Sequence, residues 1–273
     1  MIFPDYHLHS SFSSDSDADI HDIISQATKN GLNSICITDH YDMEFPIMPD
    51  APDMTFDLNT DEYFNFMSQI KEKYAPGFDL RIGIELGVMP TTTQLLHEFV
   101  LSHPKLDFII ASTHVVDGLD PYYPQFFSDK TDSQGYYRYF EEILNSVRSF
   151  QDFNVYGHLD YIVRYGRRQA ESFNINDYYD LFREIFKIIV SSGKGIEINT
   201  GSLYKGMSYP HPHREILKMY KEAGGEIITI GSDAHKPMYV GYGFDVARDL
   251  LLSEGFKYYC TFKEQQPTFV KIN

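Results

Sequence analysis

Most histidines in this sequence fall where predicted β-strands end. Six of the eleven lie at or just past such an end, whereas His21, His97 and His103 lie in predicted helices and loops. Acidic residues accompany them at two strand ends. The six histidines are His7, His9, His40, His114, His158 and His235, and the two acidic residues are Glu85 and Asp233. Because side chains at the carboxyl ends of parallel strands converge on one face, this pattern predicts a metal site there.

Two short motifs each place a pair of ligand-type side chains on one face of a strand. His7 and His9 flank the apolar Leu8, and strand alternation turns both imidazoles to the same side. The same spacing separates Asp233 from His235. Either motif alone also occurs by chance on a polar strand face. Their coincidence with the other strand-end residues favours a metal cluster.

Glu85 is the sharpest single indication, because it stands in an apolar strand with the sequence GIELG. A buried carboxylate is costly unless it is paired or bound to metal. The alternative is a salt bridge with Arg81 or another basic residue. With Asp15 after His9, the set contains nine potential ligands. This number exceeds what a single tetrahedral ion can use. We therefore expect two or three divalent ions, with Glu85 as a bridge between two of them.

The ligand types restrict the metal. Cys36 and Cys260 are the only cysteines, so the sequence offers neither a disulfide framework nor a thiolate zinc site. Histidine and carboxylate ligands without cysteine suit zinc, manganese or iron.

The elements that must position these residues alternate as βα units, which is typical of a parallel α/β barrel. Strands are predicted at 1–6, 34–38, 80–86, 107–112, 154–157, 195–199 and 226–230. Helices are predicted at 20–30, 60–74, 134–150, 176–192 and 212–223. Two long segments, 41–59 and 117–132, follow strands that end in a histidine, and we interpret them as lids or binding loops.

Composition narrows the class of protein. At 273 residues, a single barrel domain is favoured over two domains. The net charge of −16 argues against binding of long nucleic acid, which requires a basic face. No run approaches the ~20 apolar residues of a membrane span. The start MIFPDYHLHS lacks the features of a signal peptide, so the expected location is the cytoplasm, with no membrane partner. The oligomeric state is left open.

Seven motifs together resemble a known family. They are HLH at 7–9, ITDH at 37–40, GIELG at 83–87, STH at 112–114, GHLD at 157–160, INTG at 198–201 and GSDAH at 231–235. As a set, they resemble the PHP (polymerase and histidinol phosphatase) superfamily, and within it the monofunctional histidinol-phosphate phosphatases. The resemblance implies a distorted seven-stranded (βα) TIM-like barrel over residues 1–273, with a trinuclear site at the carboxyl ends of the strands.

The resemblance also implies an activity and a distribution of ligands. The activity is hydrolysis of a small phosphomonoester, L-histidinol phosphate, to L-histidinol and phosphate, a step of histidine biosynthesis. One ion would be held by His7, His9, Glu85 and Asp233, a second by Glu85, His114 and His158, and a third by Asp15, His40 and His235. Some members have histidine at the position of Asp15, but a carboxylate can also ligate.

Basic residues past the fifth and sixth strands hold the substrate phosphate in this family. Arg164 matches the first position and Lys205 the second, where related phosphatases more often have arginine, so Arg167 and Arg168 are alternatives. Lysine binds phosphate as a point charge, without the bidentate fork of arginine. The expected catalytic residues are Glu85, Asp233 and Arg164, and Asp233 or another acid would protonate the leaving group. The expected substrate-binding residues are Arg164, Lys205 and Glu197.

Three other functions remain open on the sequence. The first is hydrolysis of another phosphoester: a nucleotide, a short oligonucleotide or a phosphotyrosine peptide. The second is a metal-dependent amidohydrolase, which commonly bridges its metals with a modified lysine, so the carboxylic Glu85 disfavours it. The third is a regulatory barrel domain, which predicts missing ligands, whereas this set is complete.

Overall fold

The computed structural model describes residues 3–48 and 50–272. Short runs of β-branched and aliphatic residues form a parallel sheet, because strands covered on both faces need side chains that are apolar throughout. The seven strands are β1 Ser34–Ile37, β2 His40–Tyr41, β3 Asp79–Gly87, β4 Phe108–Ser112, β5 Val155–Tyr156, β6 Gly195–Asn199 and β7 Ile228–Gly231. Their order in the sheet is β1-β3-β4-β5-β6-β7, with β2 also paired to β3.

Residues 5–9 join the two edges of this sheet. On one side, the backbone N–H groups of Cys36 and Thr38 donate to the carbonyls of Asp5 and Leu8, both at 2.8 Å. On the other, the N–H of Tyr6 donates to the carbonyl of Ile230 at 3.0 Å. The sheet therefore curls into a barrel, as predicted. The first predicted strand, 1–6, is partly outside the described residues. Its described part contributes an isolated bridge, Asp5 to Ile35, instead of a continuous strand.

Helices surround the barrel and pack their apolar faces on it. In the helix Thr60–Tyr74, for example, Tyr63, Met67 and Ile70 are buried on one face. The eight helices among the described residues are α1 Ile20–Lys29, α2 Thr60–Tyr74, α3 Thr93–Ser102, α4 Asp132–Ser149, α5 Tyr179–Ser191, α6 Gly201–Tyr204, α7 Arg214–Glu222 and α8 Phe244–Ser253. None of these helices is long and apolar enough to cross a membrane.

The five predicted helices are confirmed with small shifts of their ends. The predicted helix 176–192 begins with a 3-10 turn, Ile175–Tyr178, before α5. The sequence did not predict α3, α6 and α8, nor a terminal antiparallel hairpin of β8 Tyr258–Lys263 and β9 Gln266–Lys271.

One buried carboxylate holds the closing segment to the end of β7. Asp5 accepts hydrogen bonds from the backbone N–H of Ser232 at 2.9 Å, from its hydroxyl at 2.5 Å, and from the N–H of Gly241 at 2.9 Å. Both Asp5 and Ser232 are fully buried. This contact fixes residues 5–9 against the segment that carries Asp233 and His235.

We expect Ser232→Ala to lower the free energy of unfolding by about 2 kcal/mol, because it removes a buried hydrogen bond to a carboxylate. Urea unfolding of the metal-free protein measures the change. Ser253→Ala is the matched control, since that hydroxyl lies on an exposed helix end and its loss should cost less than ~0.5 kcal/mol. Equal losses in the two variants would contradict the role given to the Asp5 contact.

Candidate metal centre

Glu85 lies at the centre of a cluster of imidazoles. Its side chain is fully buried at the end of β3, and Ser112 donates a hydrogen bond to Oε1 at 2.6 Å. Five histidine nitrogens surround the carboxylate at 3.0–3.5 Å. They are His7 Nε2 at 3.0 Å, His9 Nε2 at 3.5 Å, His40 Nδ1 at 3.1 Å, His114 Nε2 at 3.2 Å and His158 Nε2 at 3.0 Å.

Asp233 and Asp15 extend this cluster toward its open side. Asp233 Oδ1 lies 3.4 Å from His9 Nε2 and 3.5 Å from His235 Nδ1. Asp233 adopts a left-handed backbone conformation, with φ of 55°, which aspartate tolerates better than most residues. Asp15 Oδ2 lies 3.1 Å from His235 Nε2 and 3.8 Å from His40 Nε2. The structure thus brings together all nine residues that the sequence proposed as ligands.

The local groupings follow the expected division in part, because His9 also groups with His40 and His235, and Asp42 groups with His40 and His114. In four groups of three side chains, the potential ligand atoms lie within 4.8 Å of one another. The groups are His7, His9 and Glu85; Glu85, His114 and His158; His9, His40 and His235; and His40, Asp42 and His114. The first two contain ligands expected for two ions that share Glu85. The third contains the two histidines expected, with Asp15, for another ion.

The donor set fits divalent cations. His9 Nε2 is buried and makes no well-formed hydrogen bond with a described residue. Burial, together with His235 and His40, lowers the pKa of His9 well below its usual value, so its imidazole is neutral. Burial raises the pKa of Glu85, but His7 and His40 lower it well below its usual range. Neutral imidazoles and ionised carboxylates are the forms that bind metal.

Other carboxylates give the cluster a negative potential. Burial lowers the pKa of His7, but Glu197 and Glu85 raise it well above its usual value. Burial raises the pKa of Asp233, but Lys205 and His7 lower it well below its usual range. The ionised carboxylates therefore stabilise positive charge at this position.

Three polar side chains contact the Nδ1 atoms of three histidines, opposite the Nε2 atoms that face Glu85, and so orient the rings. Glu197 Oε1 lies 2.7 Å from His7 Nδ1, and Asp42 Oδ2 lies 2.7 Å from His114 Nδ1. Ser13 Oγ lies 3.1 Å from His9 Nδ1 and donates to Asp39 at 2.6 Å. Such partners fix the tautomer and ring orientation of metal-binding histidines. The sequence did not indicate Asp42 and Ser13; the only signal was their proximity to His40 and His9.

Glu197 does not lie on the wall of the cavity beside the cluster, where a substrate-binding residue is required. It is buried at the end of β6. Its oxygens contact His7 and accept hydrogen bonds from the N–H of His158 and the amide of Asn199. These contacts suit a carboxylate that positions His7 better than one that touches substrate.

Two motif glycines leave room for these contacts. A Cβ on Gly231, in GSDAH, would overlap His7 and Glu197. A Cβ on Gly87, in GIELG, would overlap the carboxylate of Asp42. Glycine is therefore required at both positions for the orienting carboxylates to reach their histidines.

A cavity of about 240 Å³ opens beside the cluster. Six of the nine ligand candidates line it, whereas His7, His9 and Glu85 lie buried behind them. Loop 41–59 contributes Phe45, Met54 and Phe56, and loop 117–132 contributes Asp120, Tyr122 and Tyr123. Both loops thus line the site, as predicted. A larger depression of about 660 Å³ nearby contains none of the nine residues.

Arg164 and Lys205 form the basic part of the cavity wall. The guanidinium of Arg164 lies 4.8 Å from the ring centres of both Tyr161 and Tyr165, and it donates to the Tyr165 hydroxyl at 2.5 Å. Lys205 Nζ lies 3.9 Å from Asp233 Oδ2. Burial lowers the pKa of Lys205, which Asp233 opposes.

Neither alternative to Lys205 lines the cavity. Arg167 donates to the backbone carbonyls of Lys130 and Phe127, and the side chain of Arg168 is 70% exposed near Glu171. The structure therefore places Lys205, and not these two arginines, beside Arg164.

A parallel barrel with a histidine and carboxylate cluster at the carboxyl ends of its strands is a scaffold typical of metal-dependent hydrolases. A sequence model of the PHP domain family matches residues 5–201, and the chain belongs to this family. The histidinol-phosphatase of Lactococcus lactis is 31% identical over 259 residues, which cover 94% of this chain and 93% of that protein.

Solved structures give the same picture of the fold. The histidinol phosphate phosphatase of Lactococcus lactis, in complex with zinc, L-histidinol and phosphate, has a TM-score of 0.87 at 31% identity and covers 97% of this chain and 98% of its own. A second structure, from Listeria monocytogenes, has a TM-score of 0.77 at 19% identity over 89% of this chain and 99% of its own. At that identity, the likeness supports the fold alone.

We expect Glu85→Gln to lose most of the bound metal, because a neutral amide replaces the carboxylate shared by two groups of ligands. Metal content after dialysis against a defined metal buffer measures the effect. Glu98→Gln, on the exposed surface of α3, should retain the metal content of the unaltered protein. Full metal content in Glu85→Gln would contradict the bridging role.

Asp42→Asn should weaken metal binding about 10- to 100-fold, because the amide no longer fixes the His114 ring as a carboxylate does. Competition with a chromophoric chelator measures the affinity. Asp57→Asn, exposed in the same loop, is the control and should bind metal normally. An unchanged affinity in Asp42→Asn would show that Asp42 does not act through His114.

Proposed function

We propose that this protein is a metal-dependent phosphomonoesterase that converts L-histidinol phosphate to L-histidinol and phosphate. The observation that carries the proposal is the position of Arg164 and Lys205 on the cavity wall, directly beside the histidine and carboxylate cluster. The zinc, L-histidinol and phosphate bound to the Lactococcus lactis protein support the same substrate for this chain.

In this proposal, the nine residues hold two or three divalent ions, of zinc, manganese or iron. His7, His9, Glu85 and Asp233 hold the first, Glu85, His114 and His158 the second, and Asp15, His40 and His235 the third. Bound divalent cations would offset the charge of the phosphate and lower the pKa of a bound water toward ~7.

The residues around the cavity bind and orient the phosphate. The guanidinium of Arg164, held between Tyr161 and Tyr165, donates to the non-bridging oxygens, and the ammonium of Lys205 adds a second positive charge. Asp233 lies between His9 and Lys205, where it accepts a proton from the attacking water and passes it to the leaving alkoxide oxygen.

We also propose that residues 1–273 form a single PHP-type barrel domain. The family model ends at residue 201, yet β7 pairs with β6 in the same sheet, and the segment after β7 carries Asp233 and His235. The site therefore requires residues on both sides of that boundary.

Assay of the purified, metal-loaded protein tests the proposed substrate. L-histidinol phosphate, a mononucleotide and p-nitrophenyl phosphate are compared by kcat/KM, with metal content measured on the same sample. We expect a many-fold preference for L-histidinol phosphate. Equal and slow turnover of all three would reject this substrate, and no turnover of any would reject a phosphomonoesterase.

Arg164→Ala should raise KM for L-histidinol phosphate about 10- to 100-fold, because it removes a charge-assisted contact with the phosphate. Its metal content should change little, since Arg164 contacts tyrosine rings and not the proposed ligands. Arg168→Ala, an exposed arginine nearby, is the control and should leave KM unchanged. An unaltered KM in Arg164→Ala would move the phosphate site elsewhere.

A further inference from the structure

Asp120 is an acidic group in the cavity that the proposed chemistry does not use. It lies in the loop after β4, is only 9% exposed, and lines the same cavity as Arg164 and Lys205. Its Oδ1 accepts one hydrogen bond, from the backbone N–H of Tyr122 at 2.8 Å. Within residues 3–48 and 50–272, no lysine, arginine or histidine forms an ion pair with it. A buried carboxylate with so few partners is costly unless a ligand supplies the counter-charge.

The cavity therefore carries opposite charges on different residues. Arg164 and Lys205 supply positive charge, and Asp120 supplies a carboxylate whose pKa burial raises to about 6. A phosphate ester without a cation would use only the basic residues. A ligand with a phosphate and a positively charged nitrogen would satisfy both.

The surroundings of Asp120 fit an organic cation better than a metal ion. Asp120 belongs to none of the four groups of potential metal ligands. Aromatic rings line the same cavity as Asp120. Tyr122 packs against Tyr123, with ring centres 5.1 Å apart, and against Tyr165, with ring centres 5.7 Å apart. Aromatic faces attract ammonium and imidazolium groups, whereas Ca²⁺ and Mg²⁺ require several oxygen ligands.

We propose that Asp120 is a specificity-determining residue that binds the ammonium group of the leaving alcohol and so selects amino-alcohol phosphates over phosphomonoesters whose alcohol carries no positive charge. This inference rests on the proposed function. It names the residue that distinguishes L-histidinol phosphate from other phosphomonoesters at the same metal site.

Asp120→Asn tests the proposal, because the amide oxygen can still accept the Tyr122 hydrogen bond while the charge is lost. We expect kcat/KM for L-histidinol phosphate to fall about 10- to 100-fold, and that for p-nitrophenyl phosphate to change less than about 3-fold. Calorimetry with L-histidinol alone, which carries no phosphate, should show about 10-fold or greater weakening. Asp129→Asn, an exposed carboxylate on the same loop, should match the unaltered protein in all three measurements.

The possible failures are distinguishable. If the unaltered protein hydrolyses none of these esters, the proposed function fails. If it hydrolyses them, the role of Asp120 is overturned by either of two results for Asp120→Asn: an unchanged kcat/KM for L-histidinol phosphate, or an equal fall in kcat/KM for L-histidinol phosphate and p-nitrophenyl phosphate. If Asp120→Asn does not fold, Asp120→Ser, whose hydroxyl can also accept the Tyr122 bond, is subject to the same comparison.

Discussion

The buried carboxylate of Glu85 is the group on which the rest of this structure depends. Removing a carboxylate from water costs several kcal/mol unless positive charge or hydrogen bonds replace the lost hydration. The imidazoles of His7, His40, His114 and His158 and the hydroxyl of Ser112 do so here, at distances of 2.6–3.2 Å. These partners come from separate parts of the chain, so the carboxylate is compensated only when the whole barrel is closed.

Strand register brings those partners to the same level. His40 is directly opposite Glu85 in the pairing of β2 with β3, and Ser112 is opposite Gly87 in the pairing of β3 with β4. The N–H of Asp233 donates to the carbonyl of His7 at 2.8 Å, which aligns the first and last parts of the cluster. Since a shift of one residue would turn these side chains to the opposite face, barrel register and site geometry are a single constraint.

The sequence predicted the barrel, five of the eight described helices and the meeting of nine side chains, because all depend on strand ends and periodicity. It did not predict the β8–β9 hairpin, whose turn places Glu264 and Gln265 at positive φ without the usual glycine or asparagine. Nor did it identify Asp42 or Asp120. Carboxylates in loops are usually solvated, and only the three-dimensional path of these loops buries them against the site.

The negative charge of the carboxylates in and around the cluster explains why metal binding would stabilise the fold. Asp15, Glu85 and Asp233 lie among the imidazoles, with Glu197 and Asp42 behind His7 and His114. Against these carboxylates, the cavity offers only Arg164 and Lys205 as permanent cations among the described residues. Each divalent ion would offset two of these negative charges, and a ligand that binds only the folded state stabilises it. The barrel therefore assembles a surplus of carboxylates that metal binding, and not protein cations, is suited to neutralise.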